Sequence, residues 1–122
     1  PMEHRCTERI ISELKILIYK HNLPIAIGRV RNGSSSGVFV ETDFMDIECE
    51  HQLQLEVLFN KSNATKLQSI VMKALVIHKT GKGFGAEVDF QNAAQAELFI
   101  DLLRGTKASA ADEQMFAMVA NS

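Results

Sequence analysis

Hydrophobic and polar residues alternate with a period of two along most of the first ninety residues. This alternation is typical of β-strands that turn one face to a core and the other to solvent. It is strictest at residues 52–60, where every second residue is apolar: Leu53, Leu55, Val57 and Phe59. The pattern predicts six strands, at residues 12–19, 25–31, 38–41, 52–60, 67–78 and 84–90. Six short strands separated by turns rich in Gly, Asn and Ser indicate a mainly β domain, either an antiparallel barrel or a sandwich.

The period changes at Asn92, where apolar residues begin to recur at helical spacing. The resulting stripe predicts a helix at residues 92–103 with Gly105 as its C-cap, and it consists of Ala96, Phe99, Ile100 and Leu103. We expect this helix to cover one opening of the barrel.

A second helix is predicted at residues 109–120, because Ser109 and Asp112 resemble a capping box. Its apolar stripe consists of Ala111, Met115, Met118 and Val119. A helix of about three turns is marginally stable alone and must pack on a surface. That surface is either the barrel of the same chain or a second chain, which leaves a homodimer open.

The 122 residues, of which 46% are hydrophobic, are enough for one small domain with a core. We expect a barrel domain with its covering helix at residues 2–105 and a helical extension at residues 106–122. Pro1 precedes Met2, so Met2 is the expected natural start.

Charge and cysteine content narrow the class of protein further. The pI of 6.1 argues against nucleic-acid binding, for which a basic domain with a pI above about 9 is usual. No apolar run approaches the eighteen or more residues of a membrane span, and the N-terminus does not resemble a signal peptide. Two cysteines are too few for a disulfide framework or a four-cysteine zinc site, so we expect a cytoplasmic protein.

The sequence contains no pattern typical of a catalytic or metal site. The four histidines lack metal-ligand spacing, and neither cysteine belongs to a C-x-x-C motif. The serine run at residues 33–37 lies between two predicted strands, whereas a nucleophile elbow leads into a helix. The glycines at residues 81–85 lack P-loop spacing and precede a strand. We therefore predict neither a metal site nor a cofactor, and an enzyme is the least supported class.

Two motifs together indicate a binding site. Arg5 and Arg9 form an R-x-x-x-R pair ahead of the first strand, and Asn32, Ser34 and Gly37 form N-x-S-x-x-G at a predicted turn. Guanidinium groups bind phosphate or guanine in a bidentate manner and stack on bases. The turn adds amide and hydroxyl groups, and the glycine lets a ligand approach the backbone. This combination suits an anionic purine nucleotide.

In order and spacing, these motifs resemble the PilZ domain, the bacterial receptor module for cyclic di-GMP. The resemblance covers residues 4–104 and includes the glycine-rich hairpin and strand at residues 83–90. It implies a six-stranded antiparallel Greek-key barrel whose two arginines and N-x-S-x-x-G turn bind the nucleotide. The chain departs from the family pattern at Gly33, where an aliphatic residue is common, and at Ser36, where a second glycine is frequent.

Three further residues are candidates for the same ligand: His4, Ser35 and His78. His78 ends a predicted strand at a position from which some PilZ relatives present a stacking aromatic ring. The alternative is that His78 only lies at the barrel rim.

The resemblance implies a non-catalytic receptor that binds cyclic di-GMP and passes the signal to an unidentified effector protein, as in the regulation of biofilm formation or motility. One alternative is a PilZ-like adaptor that binds no nucleotide and acts through protein contacts only. Another is a small barrel that binds single-stranded nucleic acid. The second needs aromatic platforms in a basic groove, and the chain has no Trp and one Tyr.

Overall fold

The computed structural model describes residues 9–44, 46–60 and 67–105. In this part of the chain the alternating segments form six strands, and the segment of helical period forms one helix. The elements are β1 (Ile10–Lys20), β2 (Leu23–Gly33), β3 (Gly37–Glu41), β4 (Gln52–Asn60), β5 (Leu67–Lys79), β6 (Gly83–Asp89) and α1 (Ala93–Gly105).

The strands form a closed barrel in the order β1-β2-β3-β6-β5-β4, and all pairings are antiparallel. β4, β5 and β6 form a meander. The connection at residues 42–51 leads from β3 to β4, but β3 pairs with β6 at the other end of the meander, which is a Greek-key arrangement. The prediction of a mainly β, six-stranded antiparallel fold with a C-terminal helix is therefore confirmed. Of the two predicted alternatives, an antiparallel barrel and a sandwich, the structure is a barrel.

The core consists of the apolar half of each alternation. In β4 the four predicted residues are buried while the residues between them face outward, and β4 pairs with β5 without interruption from Gln52 to Asn60. The inward residues of β5 are Ile70, Met72, Ala74 and Val76, and those of β1 are Leu14, Ile16 and Ile18. Each large apolar side chain buried in this way contributes about 1.5–3 kcal/mol.

The strands at the first hairpin extend further than the alternation predicts. Only His21 and Asn22 form the turn between β1 and β2, and both have positive φ, 52° and 66°. Such a two-residue turn matches the twist of the paired strands, so pairing continues up to it and includes Pro24, opposite Tyr19. The predicted strands end at residue 19 and begin again at residue 25, so the observed turn is shorter than the predicted interval between them.

The same difference affects the motif at residues 32–37. Asn32 and Gly33 belong to β2, where they pair with Phe39 and Val38, so the turn contains only residues 34–36. Asn32 therefore has a position fixed by strand pairing rather than by a loop.

α1 begins after Asn92, whose Oδ1 accepts a hydrogen bond from the Gln95 backbone N–H at 2.9 Å. Phe99 and Leu103 are fully buried in the core, and α1 packs against β1. Gly105, the predicted C-cap, is the last residue of α1 and does not adopt the left-handed conformation that is common for a glycine at a helix end. The predicted helix at residues 109–120 lies outside the described residues.

Candidate functional site

The strand pairing has irregularities at several places, and two β-bulges, one between β2 and β3 and one between β5 and β6, shape the candidate site. Between β2 and β3 the pairs are Val30 with Val40 and then Asn32 with Phe39, so Arg31 is an extra residue. A bulge of this kind lets consecutive residues of one strand face the same side of the sheet. Asn32 consequently lies on the outside of the barrel, although two residues from the buried Val30 would otherwise face inward.

The second bulge lies in β5. Val76 pairs with Ala86, and His78 pairs with Gly85, so Ile77 is the extra residue. Without it, His78 would continue the inward series that ends at Val76. The bulge instead exposes the imidazole on the outer face.

The two bulges place four residues in one row across four neighbouring strands: Asn32, Phe39, Gly85 and His78. The rings of Phe39 and His78 are stacked, with centroids 6.1 Å apart and an interplanar angle of 24°. Between their strands, a Cβ added at Gly85 would lie 2.6 Å from His78 Nδ1, so the imidazole occupies the space of the missing side chain. The outer face here presents a flat aromatic surface.

Arg9 lies beside this row, immediately before β1. Its Nε donates a hydrogen bond to Asn32 Oδ1 at 2.6 Å, which fixes the guanidinium relative to β2. Its Nη1 lies 3.6 Å from the position that a Cβ would take at Gly37. Within the described residues, the terminal nitrogens have no other hydrogen-bond partner. Both terminal nitrogens are charged hydrogen-bond donors.

These residues line a surface groove of about 750 Å³, which we call the arginine groove. It contains four of the eight predicted ligand-binding residues: Arg9, Asn32, Gly37 and His78. Side chains that sequence analysis missed also line it, notably Ser36, Phe39, Ile77 and Glu87. Phe39 and Glu87 could have been found from the alternation, since each lies between inward-facing residues of its strand.

Ser34 has a different position from the one that its motif suggests. Its side chain is buried, 3% exposed, and its Oγ accepts a hydrogen bond from the Ser36 backbone N–H at 3.2 Å. The Ser34 backbone N–H donates to the Gly37 carbonyl at 2.8 Å. In this structure Ser34 therefore holds the turn that leads to Gly37, and Ser36 lines the arginine groove.

Three predicted residues remain, and the structure describes one of them, Ser35. Ser35 is exposed at the tip of the turn and does not line the groove. Arg5 and His4 lie outside the described residues. The ligand-binding roles of all eight residues stay predictions.

Among the residues that the structure describes, the groove combines one cation, Arg9, with one carboxylate, Glu87, and a pair of stacked rings. Such a surface can hold a planar ring system that carries an anionic group. Among the residues in the described ranges, no group of three or more His, Cys, Asp or Glu side chains is placed to hold a metal ion.

A second cavity of about 580 Å³ adjoins the groove on the outside of the barrel, and we call it the hairpin cavity. Its lining includes the β1–β2 turn and outward residues of β4, β5 and β6, namely His21, Asn22, Gln52, Gln54, Lys73, Leu75, Glu87 and Asp89. Glu87 and Val88 line both cavities, so the two form adjoining parts of one outer surface.

Comparison with known proteins agrees with the architecture. The crystal structure of the PilZ domain of CeSA from a cellulose-synthesizing bacterium is similar, with a TM-score of 0.62 and 14% sequence identity. The similarity covers 83% of this chain and 99% of that domain, so the chain has a PilZ-like fold. No protein-family model and no curated protein sequence matches the chain. The described ranges also contain no helix with the length and apolar character needed to span a membrane.

Proposed function

We propose that this protein is a non-catalytic receptor that binds cyclic di-GMP in the arginine groove and passes the signal to a protein partner. The main support is the position of Arg9. Asn32 holds its guanidinium beside Gly37, next to the aromatic surface of Phe39 and His78. The PilZ-like fold and the resemblance of the two motifs agree with this proposal.

Each part of the groove has a chemical role in the proposal. The terminal nitrogens of Arg9 donate to a phosphate or to the O6 and N7 atoms of guanine. The imidazole of His78 supports a base by stacking. Gly37 has no side chain, so the ligand can approach the guanidinium and the backbone closely. Arg5 acts as the second guanidinium, as the resemblance implies.

The proposed output is a change of surface rather than a reaction. Ile77 lies in the groove with half of its surface exposed, and a bound nucleotide would cover it. A cytoplasmic partner protein would then meet a polar, charged nucleotide where the free receptor presents an apolar side chain.

The test is a calorimetric titration with cyclic di-GMP of the wild type and of the variants Arg9→Ala and Arg29→Ala. Arg29 is a matched control, because it lies outward on β2, pairs with Glu13 at 3.2 Å and does not line the groove. Loss of the charge-assisted bonds in Arg9→Ala should lower the affinity about tenfold or more. Arg29→Ala should bind like the wild type.

A wild-type protein that does not bind cyclic di-GMP would overturn the proposal. Equal affinities for the two arginine variants would contradict the placement of the ligand in this groove. Arg5→Ala tests the second guanidinium in the same titration, and it should also weaken binding while leaving the melting temperature unchanged.

The second candidate function is an adaptor that binds no nucleotide. It is favoured by large apolar side chains on the outside of the first hairpin, where Leu23 is 65% exposed and Ile27 is 54% exposed. Exposed apolar patches often mark protein contacts. This candidate predicts no heat of binding with cyclic di-GMP, and it predicts that Ile27→Ser disrupts partner binding.

A further inference from the structure

Glu87 occupies the junction between the arginine groove and the hairpin cavity. It lies on β6, where strand pairing places it opposite Gly37 of β3 and opposite Leu75 of β5. Its side chain is exposed and lines both cavities. Within the described part of the chain, its carboxylate forms no hydrogen bond or ion pair. A carboxylate acceptor therefore faces the groove.

The position of Glu87 relative to the aromatic surface is set by β6. Glu87 and Gly85 are two residues apart on the outer face, which corresponds to about 7 Å along the strand. Because the His78 imidazole covers Gly85, a base stacked on that ring would have one edge directed along β6 toward Glu87. On the other flank Glu87 lies opposite Gly37, and Arg9 Nη1 lies 3.6 Å from the position that a Cβ would take at Gly37.

The charge of Glu87 limits what can lie beside it. A carboxylate repels phosphate, so a phosphate held by Arg9 belongs on the side of the guanidinium that faces away from Glu87. An ionised carboxylate is purely an acceptor of hydrogen bonds and needs donors. The Watson–Crick edge of guanine offers two adjacent donors, N1–H and the 2-amino group. Adenine presents its N1 as an acceptor at the same edge, which repels a carboxylate.

We infer that Glu87 is the residue that selects guanine in this groove, by accepting hydrogen bonds from N1–H and the 2-amino group. This inference rests on the proposed function. It assigns separate tasks to the two charged groups of the groove, with Arg9 holding the anionic side of the ligand and Glu87 recognising the base edge.

The experiment compares affinities for cyclic di-GMP and cyclic di-AMP in the wild type and in Glu87→Ala, Glu87→Gln and Asp89→Ala. Asp89 is the matched control, since it is an exposed acid two residues further along β6 that lines only the hairpin cavity. Glu87→Ala should weaken cyclic di-GMP binding about tenfold or more, as expected for lost hydrogen bonds to a charged group. It should not weaken cyclic di-AMP binding.

Glu87→Gln distinguishes recognition of the base from a structural role. A glutamine amide can donate to adenine N1 and accept from the adenine 6-amino group, so this variant should shift the ratio of the two affinities toward cyclic di-AMP. A purely structural role would weaken both ligands equally. Asp89→Ala should keep the wild-type affinities and ratio.

Several results would overturn the inference. Wild-type selectivity in both Glu87 variants would show that the carboxylate does not contact the base, while leaving the cyclic di-GMP receptor intact. Tighter cyclic di-GMP binding by Glu87→Ala would place a phosphate beside Glu87 instead of a base. Failure of the wild type to bind any guanine nucleotide, with GMP as the second probe, would remove the proposed function and the inference together.

Discussion

The outer surface of this barrel has two contrasting regions. The region around β4 is regular, because β4 and β5 pair through nine consecutive residues and their side chains alternate strictly. The region around β3 and β6 is irregular, because a bulge lies on each side of this strand pair, at Arg31 and at Ile77. The regular region presents mixed polar residues, whereas the irregular region presents an arginine, an amide and two stacked rings together.

This contrast indicates that the regular region mainly stabilises the fold, whereas the irregular region provides the residues of the candidate binding site. In strands that pair without a bulge, every second side chain points into the core. The side chains between them face solvent, so the main requirement on them is that they be soluble. A bulge inserts one extra residue into a strand, so the side chains that follow it face the opposite side of the sheet from the one that alternation would give. In the candidate site the bulges turn Asn32 and His78 outward, beside residues that the alternation already directs outward, such as Phe39 and Glu87.

The largest effect should come from the core of the regular region. Leu55 is 1% exposed and pairs with Ile18 on one side and Met72 on the other. Leu55→Ala should lower the free energy of unfolding by about 2–5 kcal/mol, because the barrel cannot collapse around the cavity. Denaturant unfolding measures this, with the outward Gln54→Ala as the control that should change little. A comparable loss for Gln54→Ala would contradict this difference between the two regions.

A large effect on binding alone should follow from filling the space beside Arg9. A Cβ added at Gly37 would already touch Arg9 Nη1, at 3.6 Å, and the Ala86 carbonyl oxygen, at 3.4 Å, so the two γ-methyl groups of Gly37→Val displace the guanidinium. The affinity for cyclic di-GMP should fall about tenfold or more, with an unchanged unfolding midpoint. Gly81→Val is the control, since Gly81 has open space around it and lies outside the groove. Unchanged affinity for Gly37→Val would contradict this account of the groove.

A smaller effect is expected at the second glycine. Gly85→Ala must displace the His78 ring, since all three nearest neighbours of the added Cβ are imidazole atoms. We expect a loss of affinity of a few-fold, about 1 kcal/mol, the size of one aromatic stacking contact. The double variant Gly85→Ala/His78→Ala should bind like His78→Ala alone, because the clash is then absent. Strictly additive losses in this cycle would show that Gly85 acts independently of His78.

The smallest effect concerns Tyr19, at the seam between β1 and β4. Its hydroxyl donates a hydrogen bond to Glu56 Oε1 at 2.9 Å, which, together with burial and the carboxylate charge, raises the pKa of Tyr19 above its usual value of about 10. The chain has one Tyr and no Trp, so tyrosinate absorbance reports this group alone. Glu56→Ala should lower the pKa toward the usual value.

The same pKa predicts a sign for the dependence of stability on pH. Since the folded pKa lies above the unfolded one, the contact stabilises fully below about pH 10 and is lost as pH rises through the folded pKa. Tyr19→Phe should therefore lose less stability than the wild type in the alkaline range. If the wild type and Tyr19→Phe lose the same stability in the alkaline range, the Tyr19 hydroxyl does not contribute to that loss.

Sequence alone was sufficient where local pattern and tertiary structure agree. The alternation at residues 52–60 predicted the bounds of β4 and its four buried side chains, because an uninterrupted ladder preserves the period of two. The helical stripe predicted the two buried anchors of α1, Phe99 and Leu103, for the same reason.

Prediction was incomplete where pairing between distant strands decides the outcome. The outward position of His78 depends on an extra residue opposite Gly85, and the burial of Ser34 depends on its bond within the turn. Neither follows from local periodicity. The partnership of Arg9 with Asn32 also joins residues 23 positions apart. The motif spacing indicated these residues as a group, and the fold determined which of them line the groove.

The row from Asn32 to His78 also has a consequence for folding. Its four residues belong to two strand pairs that are far apart in the sequence, β2–β3 and β5–β6, and they form one row only when β3 pairs with β6. A molecule that spans the row therefore recognises the finished barrel and no partly assembled intermediate. At a concentration of 100 times its Kd, such a molecule adds about 2.7 kcal/mol to the native state. Occupancy of the groove would then slow unfolding and extend the lifetime of the protein under proteolysis.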